Sequence, residues 1–358
     1  MSISTRQSFG QTLVKLGQEF PEMVVLDAEM SNSTFTNYFA KEFPERFFQN
    51  FIAEQNMIST ALGLNLAGKL PVCATFAAFL TRAFDQIRLA QYSFPKTNLK
   101  IAGSHCGISI GTDGPSQMAL EDLSLFGSIL HSIILYPSSG IATEKLTKLM
   151  LRHHGISYIR LTRDETEEIY TEKDDFQIGG SKTLKTSQND EITLIGAGIT
   201  IFECLKVAQN WQSKKLEKQE NQNSENINSN AISNTDSNAI SNDLNPNNSQ
   251  NLPNIRVIDL YSVKPFDEQT ILKAARETKA IIVVEDHFEF GGIFSNLSAF
   301  LAKRSSQSFH QNWQGIHSLS VQNLPKSGSK TDLLAWAKID STAIENKINE
   351  ILNNELLD

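Results

Sequence analysis

Short apolar runs alternate along the chain with longer stretches of helical period. Before residue 200 the runs are Met23–Asp27, Phe47–Ala53, Leu70–Phe76, Leu99–Gly103, Ser132–Tyr136, Ile156–Leu161 and Ile192–Ile195; after residue 250 they are Ile255–Leu260, Ala280–Glu285 and Ile316–Val321. Runs of roughly four to eight residues rich in Val, Ile and Leu suit strands buried on both faces, and intervening segments such as Thr143–Arg152 and Glu268–Thr278 suit helices. The alternation predicts an α/β protein with mostly parallel sheets, in two domains. The first covers 1–170 and the second 191–358. Between them, 171–190 is read as a linker, because the stretch around Arg163–Glu191 carries charge and Gly179-Gly180 without an apolar period.

One segment breaks the pattern. From Asn221 to Leu252 there are 12 Asn and 6 Ser in 32 positions, and no aromatic residue or Gly lies between Trp211 and Tyr261. The hexapeptide Ser229–Asn234 recurs as Ser237–Asn242. Residues 213–252 are therefore expected to be a disordered surface insertion, tolerated in a loop at small entropic cost.

Composition narrows the class. With 40% hydrophobic residues in 358 positions the chain can bury ample core. A formal net charge of −8 without a basic block argues against nucleic acid and against a charged membrane surface, both of which demand a concentrated positive field. No uncharged apolar run approaches the roughly eighteen residues of a membrane span, and the start Met1–Gln7 lacks an apolar signal core, so a cytoplasmic protein is expected. Cys73, Cys106 and Cys204 are odd in number and widely spaced, which predicts free thiols.

Four clusters carry side chains capable of chemistry. Glu54 follows an apolar run and opens a helical pattern; a carboxylate there faces the crevice at strand ends, or simply suits the helix dipole. Phe76 and Phe79 share one face of a helix and can wall a flat ring or pack a core. The stretch Gly103–Gln117 holds four glycines and a proline together with His105, Asp113 and Gln117, an irregular polar loop of the kind on which sites are built. It has no zinc-type ligand spacing, so no metal ligand is assigned to this chain. Arg163 ends an apolar run, and with Arg6, Ser33 and His105 it could grip a phosphate; a solvated surface cation is the ordinary alternative.

In this order the clusters resemble the C-terminal half of transketolase. The specific passages are Ile52–Met57, Ala74–Phe79 running on to Thr81–Arg88, Ser104–Gly107 and Gly111–Asp122, with Val284–His287 and Gly291–Ile293 matching the C-terminal domain. The resemblance implies a thiamine diphosphate enzyme that moves a two-carbon ketol unit from a ketose phosphate to an aldose phosphate. It assigns Glu54 to the ring nitrogen of the aminopyrimidine, where a shared proton helps the ring's amine deprotonate the thiazolium carbon. By the same resemblance Phe76, Phe79 and Gln117 bind cofactor, while Arg6, Ser33, His105, Asp113 and Arg163 hold the phosphosugar. Gln117 stands where many members carry His, a feature of the animal-type branch, and Thr112 replaces a common Glu.

A further implication comes from what the sequence lacks. Transketolases also use an N-terminal domain with a Gly-Asp-Gly motif and an Asn-Asn pair that ligate magnesium at the diphosphate. No Gly-Asp-Gly occurs here, and Asn247-Asn248 sits in the polar insertion. The resemblance thus implies the second subunit of a split enzyme, in a two-plus-two heterotetramer with an N-terminal subunit that supplies most of the magnesium ligands. Two rival readings are the β subunit of a 2-oxoacid dehydrogenase and a non-catalytic transketolase-like binding protein. Val284–His287 is expected to serve structure rather than catalysis.

Overall fold

A computed structural model describes residues 2–94, 96–232, 252–304 and 309–354. A seven-stranded sheet runs in the order Ser262–Lys264, Ile133–Leu135, Ser157–Arg160, Lys100–Ser104, Leu70–Phe76, Met23–Asp27, Phe47–Gln49. All its pairings are parallel except that of Ser262–Lys264. Met23–Asp27, Leu70–Phe76 and Lys100–Ser104 are buried at every position, as strands covered by helices on both faces must be. The second sheet has the order Ile316–Val321, Ala280–Phe288, Asp190–Gly196, Asn254–Asp259, Lys182–Lys185, antiparallel only at the last strand.

The α/β class and parallel sheets agree with the apolar pattern, and most strand runs are recovered within one or two residues. Phe47–Ala53 is the exception, since its strand ends at Gln49. From there the chain turns through Phe51, held in the left-handed region at φ 51°. Four short strands, Ile3–Ser4, Glu165–Thr166, Lys182–Lys185 and Ser262–Lys264, gave no sequence signal, and the last changes the organisation. Ser262–Lys264 leaves the neighbourhood of the second sheet to pair antiparallel with Ile133–Leu135, so the seven-stranded sheet is completed from late in the chain, while Lys182–Lys185, within the stretch expected to be a linker, is the edge strand of the second sheet. The polar insertion also begins differently: the helix Thr200–Ile232 carries regular structure through residues 213–232, where disorder was expected. Backbone hydrogen bonds close within a helix regardless of apolar content, so a polar stretch continues one that its apolar first turns have nucleated. Residues 233–251 of the insertion lie outside the described residues.

Strand order locates the crevice. The chain leaves Met23–Asp27 toward Phe47–Gln49 in one direction and leaves Leu70–Phe76 toward Lys100–Ser104 in the other. The two connections diverge above the carboxyl ends of these neighbouring strands, which is where open parallel sheets take ligands. The second domain reaches the same end. Phe288 N–H donates to Leu120 O at 3.0 Å and Ile108 N–H to Asp286 Oδ1 at 2.8 Å, which pins the loop after Lys100–Ser104 to the end of Ala280–Phe288. All three cysteines are buried and unpaired. Among the described residues no helix is long and apolar enough to cross a membrane.

Candidate functional site

The helix Glu54–Leu66 begins at Glu54, so the carboxylate stands at the helix's positive end. It is not a solvated helix-start acid: the side chain is 3% exposed, and its Oε2 accepts no hydrogen bond. Beside it, Leu70–Phe76 passes directly into a 3₁₀ segment, Ala77–Ala83. Within that segment three residues per turn eclipse positions i and i+3, which sets Phe79 and Arg82 along one edge, while Phe76 ends the strand in extended conformation. The Phe76 and Phe79 rings stack at 5.3 Å with planes 12° apart. Phe76 is buried and Phe79 half-buried, so the row is anchored at one end and open at the other.

His105 extends the row. Its ring stacks on Phe76 at 3.8 Å and 17°, and Ser104 Oγ lies 2.6 Å from Nδ1. The backbone is held at φ 56°, a left-handed conformation uncommon outside glycine and concentrated at functional positions. Burial, reinforced by Arg6 and Arg163, pushes the His105 imidazole down to about 3, so at neutral pH the ring is an uncharged hydrogen-bonding group.

A second cluster adjoins the first. The short strands Ile3–Ser4 and Glu165–Thr166 pair antiparallel and bring the start of the chain beside Arg163. Arg6 lies in the first turn of the helix Thr5–Glu19, where the dipole disfavours a cation. It is held there by Nε donating to Arg163 O at 2.8 Å and Nη1 donating to Ser33 O at 2.7 Å. Arg163 in turn donates to Ile110 O at 2.7 Å and meets Asp113 Oδ1 at 3.3 Å. Arg6, Ser33, Asp113 and Arg163 therefore converge, with His105 in the field of both cations. Gln117 sits in the turn Pro115–Gln117, which packs against Ala77–Ala83. Among the described residues no group of three His, Cys, Asp or Glu side chains could hold a metal ion.

The loop that carries His105 and Asp113 is fixed from below. Gly107 has φ +73°, and a Cβ there would lie 1.9 Å from Asp286 Oδ2, so glycine is the residue that admits the second domain's carboxylate. His287, fully buried, accepts from Leu123 N–H through Nε2 at 3.2 Å and faces Phe288 O through Nδ1 at 2.6 Å. That pattern fits the neutral ring with its proton on Nδ1. Asp122 Oδ1, 3.8 Å from Nε2, would favour a charged ring, yet burial outweighs it and pushes the imidazole down to about 4. The unfolded chain then takes up a proton near pH 6.5 that the folded chain refuses until about 4. His287 thus stabilises the fold above pH 6.5, and about 3 kcal/mol of this is lost as pH falls to 4. Asp27 and Asp259, raised to about 6 by burial, act oppositely in that window, so the readout is a difference. Denaturant unfolding at pH 7 and pH 4.5 is expected to show a smaller acid-induced loss for His287→Gln than for the natural chain.

Arg82 is the site residue that reading the sequence missed. Its Nη1 lies 2.9 Å from Glu54 Oε2. The available signal was its i+3 spacing from Phe79, the same spacing that relates Phe79 to Phe76.

Comparison with known proteins supplies the family. The model of the transketolase pyrimidine binding domain matches residues 1–168, and that of the transketolase C-terminal domain matches 249–344. Transketolase from Homo sapiens is 39% identical over 352 residues, 98% of this chain but 49% of that protein. Transketolase-like protein 1 from Bos taurus is 42% identical over 352 residues, 98% of this chain and 51% of its own length. The chain spans about half the length of these relatives. A solved structure described as a split gene transketolase, inactive beta4 tetramer, is 30% identical with a TM-score of 0.75, covering 99% of each chain. The chain belongs to the transketolase family, with that family's pyrimidine-binding and C-terminal domains.

Proposed function

We propose that this chain is the C-terminal subunit of a thiamine diphosphate-dependent transketolase and forms a complete active site only with a separate N-terminal, diphosphate-binding subunit. The observation that carries the reading is Glu54, a buried carboxylate with an oxygen lacking a hydrogen bond, set beside a stacked aromatic row whose outer ring is half-open. An aminopyrimidine fits this pair of features: a flat ring for Phe76 and Phe79, and a ring nitrogen for Glu54. When bound, the cofactor supplies a nucleophilic carbon able to take up and release a ketol unit.

The chain's own residues then have distinct tasks. Glu54 shares a proton with the pyrimidine nitrogen, and Gln117 faces the cofactor from the adjoining turn. Arg6 and Arg163 attract the phosphate of the sugar; His105, uncharged, hydrogen-bonds to it without adding a third positive charge. Ser33 and Asp113 complete the sugar's contacts. Magnesium is assigned to ligands of the partner subunit. The likeness to a structure described as a split gene transketolase supports a two-subunit enzyme, for which we propose a two-plus-two assembly.

The test is ketol transfer from xylulose 5-phosphate to ribose 5-phosphate, with thiamine diphosphate and magnesium, by the chain alone and after mixing with a candidate N-terminal subunit. Activity in the mixture only is expected. A well-folded complex that transfers no ketol unit between any phosphosugars overturns the reading.

A further inference from the structure

Arg82 and Glu54 form an unequal ion pair. Glu54 is 3% exposed at the floor of the site, whereas Arg82 is 54% exposed at its rim on a long, rotatable side chain. The contact is close, 2.9 Å, but lacks the directionality of a hydrogen bond, so Glu54 Oε2 remains open to a better-aligned donor. An ion pair with one solvated member contributes little, because water competes for the guanidinium. A buried carboxylate with no partner is costly, which explains why Arg82 turns inward. Arg82 follows Phe79 by three residues in the same 3₁₀ segment, and its guanidinium occupies the Glu54 oxygen that a ring nitrogen held beside Phe76 and Phe79 would need.

We propose that Arg82 is a positioning residue that neutralises Glu54 while the pyrimidine site is empty and must swing out toward solvent when the aminopyrimidine takes the carboxylate. The inference rests on the reading of Glu54 as the ring nitrogen's partner, and it adds that part of the cofactor's binding energy is spent in breaking this pair. Removing the guanidinium leaves Glu54 unpaired in the empty site only, which favours the loaded state.

The test is the dissociation constant of thiamine diphosphate, titrated with magnesium by protein fluorescence in the two-subunit complex. Arg82→Gln is expected to bind the cofactor about two- to fivefold more tightly than the natural chain, a shift of the size a partly solvated pair allows. Arg82→Lys, which retains the charge, is expected to bind close to the natural chain. In a Glu54→Gln background, Arg82→Gln is expected to change nothing, since the two act through one contact. Weaker or unchanged binding by Arg82→Gln overturns the proposal, as does an equal shift in both backgrounds. If the unsubstituted complex binds no cofactor, the reading of the site fails, and this inference fails with it.

Discussion

Glu54→Ala in the assembled enzyme is expected to lower ketol transfer by roughly a hundred- to ten-thousandfold, the range in which positioned proton transfer contributes to catalysis. Among the described residues, Glu54 is the acid that opens the helix beside the Phe76–Phe79 row, where its carboxyl can share a proton with a ring nitrogen. Glu54→Gln separates the proton from the contact. The amide keeps the volume and can donate an N–H to the ring nitrogen but cannot give up a proton, so cofactor binding is expected to suffer far less than kcat. Steady-state kinetics with varied thiamine diphosphate, beside direct titration of the cofactor, distinguish the two effects. Equal loss of binding and turnover in Glu54→Gln would mean that Glu54 holds the ring without moving a proton, and full activity in Glu54→Ala would remove it from the site. Folding is not expected to confound the result: the ion-pair partner that Glu54→Ala leaves behind, Arg82, is 54% exposed and can be solvated.

Much of this site was legible because parallel α/β architecture puts chemistry at the carboxyl ends of strands. Glu54, Phe76, His105 and Arg163 each follow an apolar run, and all four runs meet at one edge of the seven-stranded sheet. What periodicity could not show was distance between runs. That Arg6 donates to the carbonyls of Ser33 and Arg163 depends on a two-residue strand pair, Ile3–Ser4 with Glu165–Thr166, too short to leave a pattern. Arg82 was hidden for a related reason: its 2.9 Å approach to Glu54 joins two segments that the sequence does not show to be neighbours. Ser262–Lys264 crosses to the other domain's sheet as an edge strand of three residues, which no composition rule separates from a turn. The polar insertion was read from its Asn and Ser content and its lack of aromatic residues, yet helix Thr200–Ile232 enters it, because helical backbone bonds need no apolar partner.

The largest stability effect is expected at the buried charge beneath the His105 loop. Arg160 has no exposed surface, an extreme for arginine, and Asp122 is 1% exposed. Arg160 Nε donates to Asp122 Oδ2 at 2.8 Å, and Nη2 donates to Ala119 O at 3.0 Å and to Asp286 O at 2.9 Å. Tyr158 OH donates to the same Asp122 oxygen at 2.6 Å. Burial by itself would raise the Asp122 carboxyl, but the Arg160 charge, His287 and these bonds outweigh it and hold the group below its ordinary value. One guanidinium thus ties a first-domain strand, the polar loop and the second domain together. Asp122→Ala strands that cation without its counter-charge and is expected to cost about 3–5 kcal/mol, read as a lower denaturant midpoint. The double variant Asp122→Leu with Arg160→Met removes both charges and is expected to recover much of that loss, since a buried pair often does no better than apolar side chains of similar volume. Stability and site order should then part company. The double variant lacks the bond to Asp286 O that helps align the loop, so phosphosugar KM is expected to stay raised in the complex even where the midpoint is restored. A restored midpoint together with an unchanged KM would show that Ile108 N–H to Asp286 and Phe288 N–H to Leu120 suffice to hold the loop.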